Sequence, residues 1–250
     1  MTARDWDAST YARVSGPQRE WSEQVLDRLE LRGDETVLDA GCGSGGVTEL
    51  LIERLPRGRV IAVDAAPSMV EHARRQLADR ATVLQADLQE LVLDEPVDAV
   101  FSNAVFHWVP DHDLLFRRMH DALRPGGRMV AQCGGEGNIE RFHGLAAEVA
   151  SRPPFAEHLG AWEGPWNFAG PDVTRERLER AGFASAEAWL QEWPVHPDEP
   201  RDFIATVCLG YHLPRLPEDL RDAYLDAVTE RMGAEPELDY VRLNIVARRD

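Results

Sequence analysis

Two hydrophobic rhythms alternate along residues 36–133. Short continuous apolar runs are typical of buried parallel strands, and stretches with apolar residues every three or four positions are typical of helices. The predicted strands are Val37–Asp39, Val60–Asp64, Thr82–Asp87, Val97–Asn103 and Arg128–Cys133. The predicted helices are Val47–Leu55, Pro67–Leu77 (with Ser68 and Glu71 as a capping box) and Asp111–Leu123. This alternation predicts βαβ units and a parallel sheet.

The pattern changes on both sides of this region. Residues 136–171 combine aromatic side chains with several Gly and Pro, so we expect a partly helical insertion over a ligand cleft rather than an ordinary loop. Further predicted elements are a helix over Asp172–Ala181, a strand over Ala184–Val195, two helical stretches within 200–232, a closing strand over Leu238–Arg248 and an N-terminal helix with Val25, Leu26, Leu29 and Leu31 on one face.

We therefore expect one α/β domain over residues 1–250. Within it, residues 1–35 form an N-terminal helical flap, 36–135 the ligand-binding core, and 136–171 and 200–235 cap insertions. The flap either packs on the domain or closes over a ligand through Tyr11.

Composition excludes several classes of function. The formal net charge of −17 disfavours nucleic acid and acidic membranes as partners. No apolar run reaches the roughly 18 residues of a membrane span, and the polar start is unlike a secretory signal, so we expect a soluble cytoplasmic protein.

All 27 basic residues are arginine. The absence of lysine excludes a Schiff-base lysine, a P-loop and the Tyr-x-x-x-Lys pair of short-chain dehydrogenases. Cys42, Cys133 and Cys208 are widely spaced, which predicts small buried side chains rather than a metal site or disulfides.

A candidate ligand-binding loop follows the first predicted strand. Asp39 is followed by Gly41, Gly43, Gly45 and Gly46, and glycines allow positive φ and close approach of a ligand. The next helix points backbone N–H groups toward this turn. The spacing also satisfies the G-x-G-x-x-G of nicotinamide and flavin enzymes, so other residues must decide.

Further polar residues come at the ends of later strands. Asp64 and Asp87 end the second and third, and Asn103 ends the fourth, before Ala104-Val-Phe-His-Trp108. The carboxyl ends of parallel strands share one edge of the sheet. An acid after the second strand suits the ribose of any adenosine ligand, but a third acid and the aromatic segment are not part of the dinucleotide fingerprint.

From Val37 to Gln132 these motifs resemble the class I S-adenosylmethionine-dependent methyltransferases. The resemblance implies a Rossmann-like, doubly wound seven-stranded sheet, mostly parallel with an antiparallel last strand. It implies S-adenosyl-L-methionine as cofactor, with the glycine loop against the methionine moiety, Asp64 on the ribose and Asp87 on the adenine. The implied cofactor-binding residues are Tyr11, Asp39, Gly41, Gly43, Gly45, Asp64, Ala65, Met69, Asp87, Leu88 and Asn103.

Ser102–Trp108 with Asp111-His112, and Trp6–Tyr11, resemble the trans-aconitate methyltransferase-like group. The tail at 240–248 resembles both that group and the malonyl-carrier-protein methyltransferases. Both groups methylate carboxylates on oxygen, which implies O-methylation of a small-molecule carboxylate.

An ionised carboxylate needs no general base, but it does need a cation or hydrogen-bond donors to orient it. Arg13, Arg141 and Arg242 are the candidate cations. His107 either donates a hydrogen bond to the acceptor or, for a phenol, amine or carbon acceptor, acts as the catalytic base. Trp108 and Trp166 are candidate walls of the acceptor pocket, with Trp162 and Phe168 as parts of a lid.

Two other classes stay open on the sequence alone. One is a cofactor-binding module without turnover, against which the intact loop and three acids argue. The other is a nicotinamide oxidoreductase, which lacks its tyrosine–lysine pair here.

Overall fold

The computed structural model describes residues 16–233 and 235–250. The chain forms two compact units, which we treat separately. The core unit comprises residues 16–136, Asn167–Gln191 and Arg242–Asp250, and the second unit comprises Gly137–Trp166 and Glu192–Val241. That the second unit acts as a cap stays a prediction.

One seven-stranded sheet organises the core unit, with strand order β3-β2-β1-β4-β5-β7-β6. The pairs among β1 to β5 are parallel, and β7 runs antiparallel to β5. This confirms the Rossmann-like sheet that the resemblance implied. The strands are β1 Thr36–Ala40, β2 Arg59–Asp64, β3 Thr82–Gln85, β4 Val97–Asn103, β5 Leu123–Gly134, β6 Ser185–Glu192 and β7 Val241–Arg248.

Helices connect and flank these strands. They are α1 Gly16–Asp27, α2 Gly46–Glu53, α3 Pro67–Leu77, α4 His112–Ala122, α5 Glu140–Ala150, α6 Ala156–Leu159, α7 Pro171–Arg180, α8 Pro200–Phe203 and α9 Glu218–Met232. None of the helices in the described ranges has the length and apolar character needed to cross a membrane.

Helix α1 and the turn after it are held to the core by apolar side chains. Val25, Leu26 and Leu29 are buried in one cluster with Val37 of β1 and Leu51 of α2. Burying a side chain of this size stabilises the fold by about 1.5–3 kcal/mol. Within the described residues, the predicted flap packs on the core through α1 and the turn after it, and the alternative built on Tyr11 lies outside the described residues.

The bounds of the helix over Pro67–Leu77 are confirmed, but its predicted capping box is wrong. Helix α3 begins at Pro67 with Ala66 as its N-cap, so Ser68 lies in the first turn and forms no capping box. Asp111 is instead the N-cap of α4 and accepts a hydrogen bond from the Leu114 N–H.

Several predicted strand boundaries differ from those in the structure. Strand β3 ends at Gln85, two residues before Asp87, and β5 starts five residues earlier than predicted. Strand β6 ends at Glu192, beyond which Val195 forms only an isolated bridge to Leu238.

The second unit contains two histidines that burial keeps neutral. Burial lowers the pKa of His143 to about 4 and that of His212 to about 3, and the charges of His143 and Arg215 contribute to the lower pKa of His212. The ring centroid of each lies within 6 Å of that of Trp166. Protonating either ring would place a charge among aromatic side chains.

We expect this pair to make the protein acid-labile. Because each native pKa lies below the unfolded value, the unfolded chain binds protons first, so stability is complete above about pH 6.5 and falls as the pH drops. Between pH 6.5 and 4.5, each histidine should lower the free energy of unfolding by about 2 kcal/mol. Urea unfolding at both pH values measures the loss. The variant H143Q/H212Q should lose less stability over this range, and an equal loss in both proteins would contradict the expectation.

Candidate functional site

The strand ends of the core unit meet at one edge of the sheet. Asp64 of β2 pairs in register with Gln85 of β3, and Asn103 of β4 pairs with Gln132 of β5. On the other side, Ala40 of β1 pairs with Val63 of β2. Residues predicted separately from four strands therefore lie at the same edge.

The glycine loop turns sharply after β1. The N–H groups of Gly41 and Cys42 both donate to the Val63 carbonyl, at 2.8 and 2.9 Å. Gly41, Gly43 and Gly45 have φ of +91°, +54° and +96°, a region that L-residues with a Cβ rarely adopt. Helix α2 begins directly after this turn, with Gly45 as its N-cap.

Gly41 and Gly43 have different surroundings. A Cβ on Gly41 would lie 2.2 Å from Cγ2 of Val105, so the absence of a side chain there lets the loop after β4 pack. A Cβ on Gly43 would meet nothing within 4 Å. Gly43 therefore faces open space, as does Gly46 at the start of α2.

Asp64 connects the end of β2 to the glycine loop. Its Oδ2 accepts from the Gly43 N–H and its Oδ1 from the Ala66 N–H, both at 2.9 Å. Burial raises the pKa of Asp64, and these backbone donors oppose that shift. Ala65 is half-buried, and Met69 is buried on α3.

Asp39 lies beneath the loop. Its carboxyl is fully buried and accepts from the Thr48 hydroxyl at 2.7 Å, which ties β1 to α2. Burial raises its pKa to about 7, opposed by the Thr48 hydrogen bond, and the charge of Asp64 adds to the increase. The hydrogen bond therefore joins the two elements between which the glycine loop runs.

Asp87 lies beyond the end of β3. Its Oδ1 accepts from the Gln89 N–H at 2.9 Å, so the side chain closes its own turn, and Leu88 is buried. Asn103 is half-buried at the end of β4, where Ala104 takes φ +61° and donates its N–H to the Gln132 carbonyl at 2.7 Å.

His107 lies in a short 3₁₀ turn, Phe106–Trp108, and is buried. Its Nδ1 accepts a hydrogen bond from the Gly134 N–H at 3.2 Å, where β5 ends. Because that backbone group can only donate, the neutral imidazole carries its proton on Nε2. Burial holds the pKa of His107 well below its usual value, and the positive charge of Arg242 and proximity to His112 lower it further.

Aromatic rings flank His107. The ring centroid of Trp108 lies 4.6 Å away and that of Phe168 5.8 Å away. The His107 carbonyl accepts from the Asn167 N–H at 2.9 Å. His112 was named from the sequence only as part of the resemblance, without a role at the site. Its Nε2 lies 2.9 Å from the Phe106 carbonyl, so it anchors this turn.

Arg242 is brought to the same edge by strand direction. Because β7 runs antiparallel to β5, its beginning lies beside the end of β5, and Arg242 pairs in register with Gly134. Only 2% of the residue is exposed. Its Nε donates to Oε1 of Gln132 at 3.4 Å, and its guanidinium lies 4.7 Å from the Trp21 ring centroid.

The other predicted acceptor residues fall in the second unit or outside the described residues. Arg141 and Trp166 belong to the second unit. The Arg141 side chain is largely exposed and forms ion pairs with Glu237 and Asp239. Trp166 packs against Trp162 and His143. Tyr11 and Arg13 lie outside the described residues.

The three cysteines are buried, as predicted for small apolar side chains. The described ranges contain no group of three His, Cys, Asp or Glu side chains suited to hold a metal ion.

Comparisons with known proteins fit this geometry. Residues 37–127 match a family model described as a methyltransferase domain. A trans-aconitate 2-methyltransferase of Methylobacterium radiotolerans is 33% identical, over 98% of this chain and 98% of its own. Another of that name, from Methylobacterium nodulans, is 35% identical over 74% of this chain and 67% of its own.

A solved structure extends the likeness to the fold. It is a Haemonchus contortus phosphoethanolamine N-methyltransferase 2 in complex with S-adenosyl-L-methionine, with a TM-score of 0.62 and 19% identity. The match covers 97% of this chain but only 57% of that one.

Proposed function

This chain belongs to the class I S-adenosylmethionine-dependent methyltransferases, and we propose that it transfers the methyl group to a carboxylate oxygen of a small organic acid. The cofactor supplies a methyl group on a positively charged sulfur, which is already an activated leaving group. What remains for the chain's own residues is to hold both reactants in line and to exclude water.

The described residues fit this cofactor. A Cβ on Gly43 would meet nothing within 4 Å, so a ligand can approach the backbone there, and the Asp64 carboxylate accepts from the same Gly43 N–H. We propose that Asp64 accepts hydrogen bonds from the ribose, with Ala65 and Met69 beside ribose and adenine and Asp87 and Leu88 at the adenine. Asn103 and the glycine loop would then hold the methionine end. Asp39 would act through the loop that it supports.

The observation that carries the choice of acceptor is the hydrogen bond from the Gly134 N–H to Nδ1 of His107. It makes His107 an Nε2–H donor and occupies the other nitrogen, whereas a general base needs an accessible nitrogen without a proton. A carboxylate is ionised at neutral pH, so it requires a donor and not a base.

Arg242 supports the same conclusion through charge. It lies buried at the strand edge, and its charge acts on His107. A guanidinium matches the two oxygens of a carboxylate and gives a charge-assisted pair. We propose that Arg242 and His107 together orient the acceptor, with Trp108 as a wall. The trans-aconitate in the names of two relatives is such an anion.

Labelling tests the proposal directly. The protein is incubated with methyl-labelled S-adenosylmethionine and trans-aconitate, alongside mixed carboxylic acids, phenols and amines, and the product is treated with mild alkali. Label released as methanol supports a methyl ester. Alkali-stable label would move the acceptor to a phenol, an amine or a carbon and would overturn the proposal.

Two substitutions of His107 separate a donor from a base. H107Q places an amide N–H near the position of Nε2, so we expect kcat/KM within about fivefold of wild type. H107N keeps an acceptor for the Gly134 N–H but loses the donor, and should cost about 10- to 100-fold, the 1.5–3 kcal/mol of a hydrogen bond to a charged group.

Steady-state kinetics over pH 6.5–9 check both variants. Because the native pKa of His107 lies below this range, wild-type kcat should not change with pH. Similar losses of about 10²- to 10⁴-fold in H107Q and H107N, with a titrating profile, would identify a base instead.

A further inference from the structure

A chain of polar side chains crosses β7 and β5 inside the core unit. Gln132 and Asn244 are completely buried and pair in register. Nε2 of Gln132 donates to Oδ1 of Asn244 at 2.8 Å, and the same oxygen accepts from Nη1 of Arg28 at 2.5 Å. The Oε1 of Gln132 accepts from Nε of Arg242.

Donor and acceptor chemistry allows one direction along this chain. A guanidinium only donates, so Arg28 requires the oxygen of the Asn244 amide. That oxygen requires the NH₂ of Gln132, which leaves the oxygen of Gln132 for Arg242. Asn244 completes its own bonding by donating to Oε1 of Gln191 and to the Arg242 carbonyl.

We propose that Gln132 is a positioning residue that sets the plane and direction of the Arg242 guanidinium, and so determines selectivity for anionic acceptors. The inference rests on the proposed role of Arg242 in binding the acceptor. Gln132 can accept the Nε–H without adding a negative charge, and the face of Trp21 orients the same group. A carboxylate at position 132 would orient the guanidinium equally well but would compete with the acceptor.

Replacing this side chain leaves its backbone role intact. The Gln132 carbonyl accepts from the Ala104 N–H, at the end of the strand that carries Asn103. Every variant at 132 keeps that carbonyl, so the cofactor side of the edge should be unchanged.

The test compares Q132M and Q132E with Q191M. Methionine has nearly the same length as glutamine without the acceptor, and Gln191 is the matched control because it contacts Asn244 from β6. With trans-aconitate as first probe, or the acid that accepts label above, we expect acceptor KM to rise about 10-fold in Q132M and about 100-fold in Q132E. Q191M should stay within about twofold. The Kd for S-adenosylhomocysteine should be unchanged in all three.

A spectroscopic measurement keeps the test independent of the acceptor. The Arg242 Nε–H signal in ¹⁵N spectra, assigned by its loss in R242M, should exchange with solvent at least about tenfold faster in Q132M than in wild type or Q191M. N244L, which removes the oxygen that orients Gln132, should also speed this exchange.

The outcomes separate the two proposals. If R242M has a wild-type acceptor KM, the proposed role of Arg242 fails. If R242M is defective while both Gln132 variants retain wild-type KM and exchange rates, only the positioning role fails.

Discussion

Replacing Arg242 with methionine should raise the acceptor KM by at least about 100-fold, while the Kd for S-adenosylhomocysteine stays within about twofold. Removing one partner of a buried charge-assisted pair costs about 3–5 kcal/mol, because the remaining carboxylate loses its counter-charge where water cannot replace it. Steady-state kinetics with the acceptor, and calorimetry with the cofactor product, measure the two effects separately.

R141M is the matched control for this result. Arg141 was predicted from the sequence as a second candidate cation, but its side chain is mostly exposed and pairs with Glu237 and Asp239. Because exposed ion pairs contribute about 0–1 kcal/mol, we expect R141M to change acceptor KM by less than about threefold. A large effect in R141M with none in R242M would assign the acceptor to the other cation.

Two alanine substitutions in the glycine loop should fail in different ways. The methyl group of G43A would enter the open space of the loop, so we expect cofactor affinity to fall about 10- to 100-fold, the 1–3 kcal/mol of an overpacked contact. The methyl group of G41A would collide with Val105 at φ +91°, so we expect a loss of about 2–4 kcal/mol in the free energy of unfolding.

Calorimetry and urea unfolding of each variant measure the two losses. G126A is the control for backbone strain. Gly126 has φ +76° and a Cβ there would meet nothing within 4 Å, but the residue lies near the start of β5, at the opposite end from Gly134. G126A should lower the free energy of unfolding and leave the cofactor affinity unchanged. If G43A binds the cofactor as wild type does, the open space at Gly43 is not where the cofactor lies.

Much of the core followed from local pattern. Strands β1 and β4 lie inside the sheet and are buried along nearly their whole length, so their apolar runs are continuous, and Val97–Asn103 was predicted to the residue. The end of β3 was predicted two residues too late because the run was extended to the acid Asp87. Register pairing with β2 ends at Gln85, and the Ala86 N–H makes a further hydrogen bond to the Asp64 carbonyl. A sequence pattern indicates which side chains are apolar, whereas the end of a strand depends on its backbone pairing with the neighbouring strand.

The part of the site that lies just after the strands could also be predicted from the sequence. The glycines and acids could be found because each lies just after an apolar run, and the sheet brings such positions together. Gln132 and Asn244 carried no comparable signal, since a polar residue in a strand has the same appearance whether it faces solvent or a buried arginine. The anchoring role of His112 could not be predicted either, because its partner is the backbone carbonyl of Phe106.

By itself, the sequence determined the parallel core, the glycine loop with its acids and the methyltransferase class, because these depend on residues close together in the chain. Only the tertiary structure decided the proton position on His107 and the surroundings of Arg242. Arg242 and Gln132 are 110 positions apart and meet because β7 lies antiparallel beside β5. A hydrogen bond fixes a tautomer, and burial shifts a pKa, only after the chain has folded and brought such distant groups into contact.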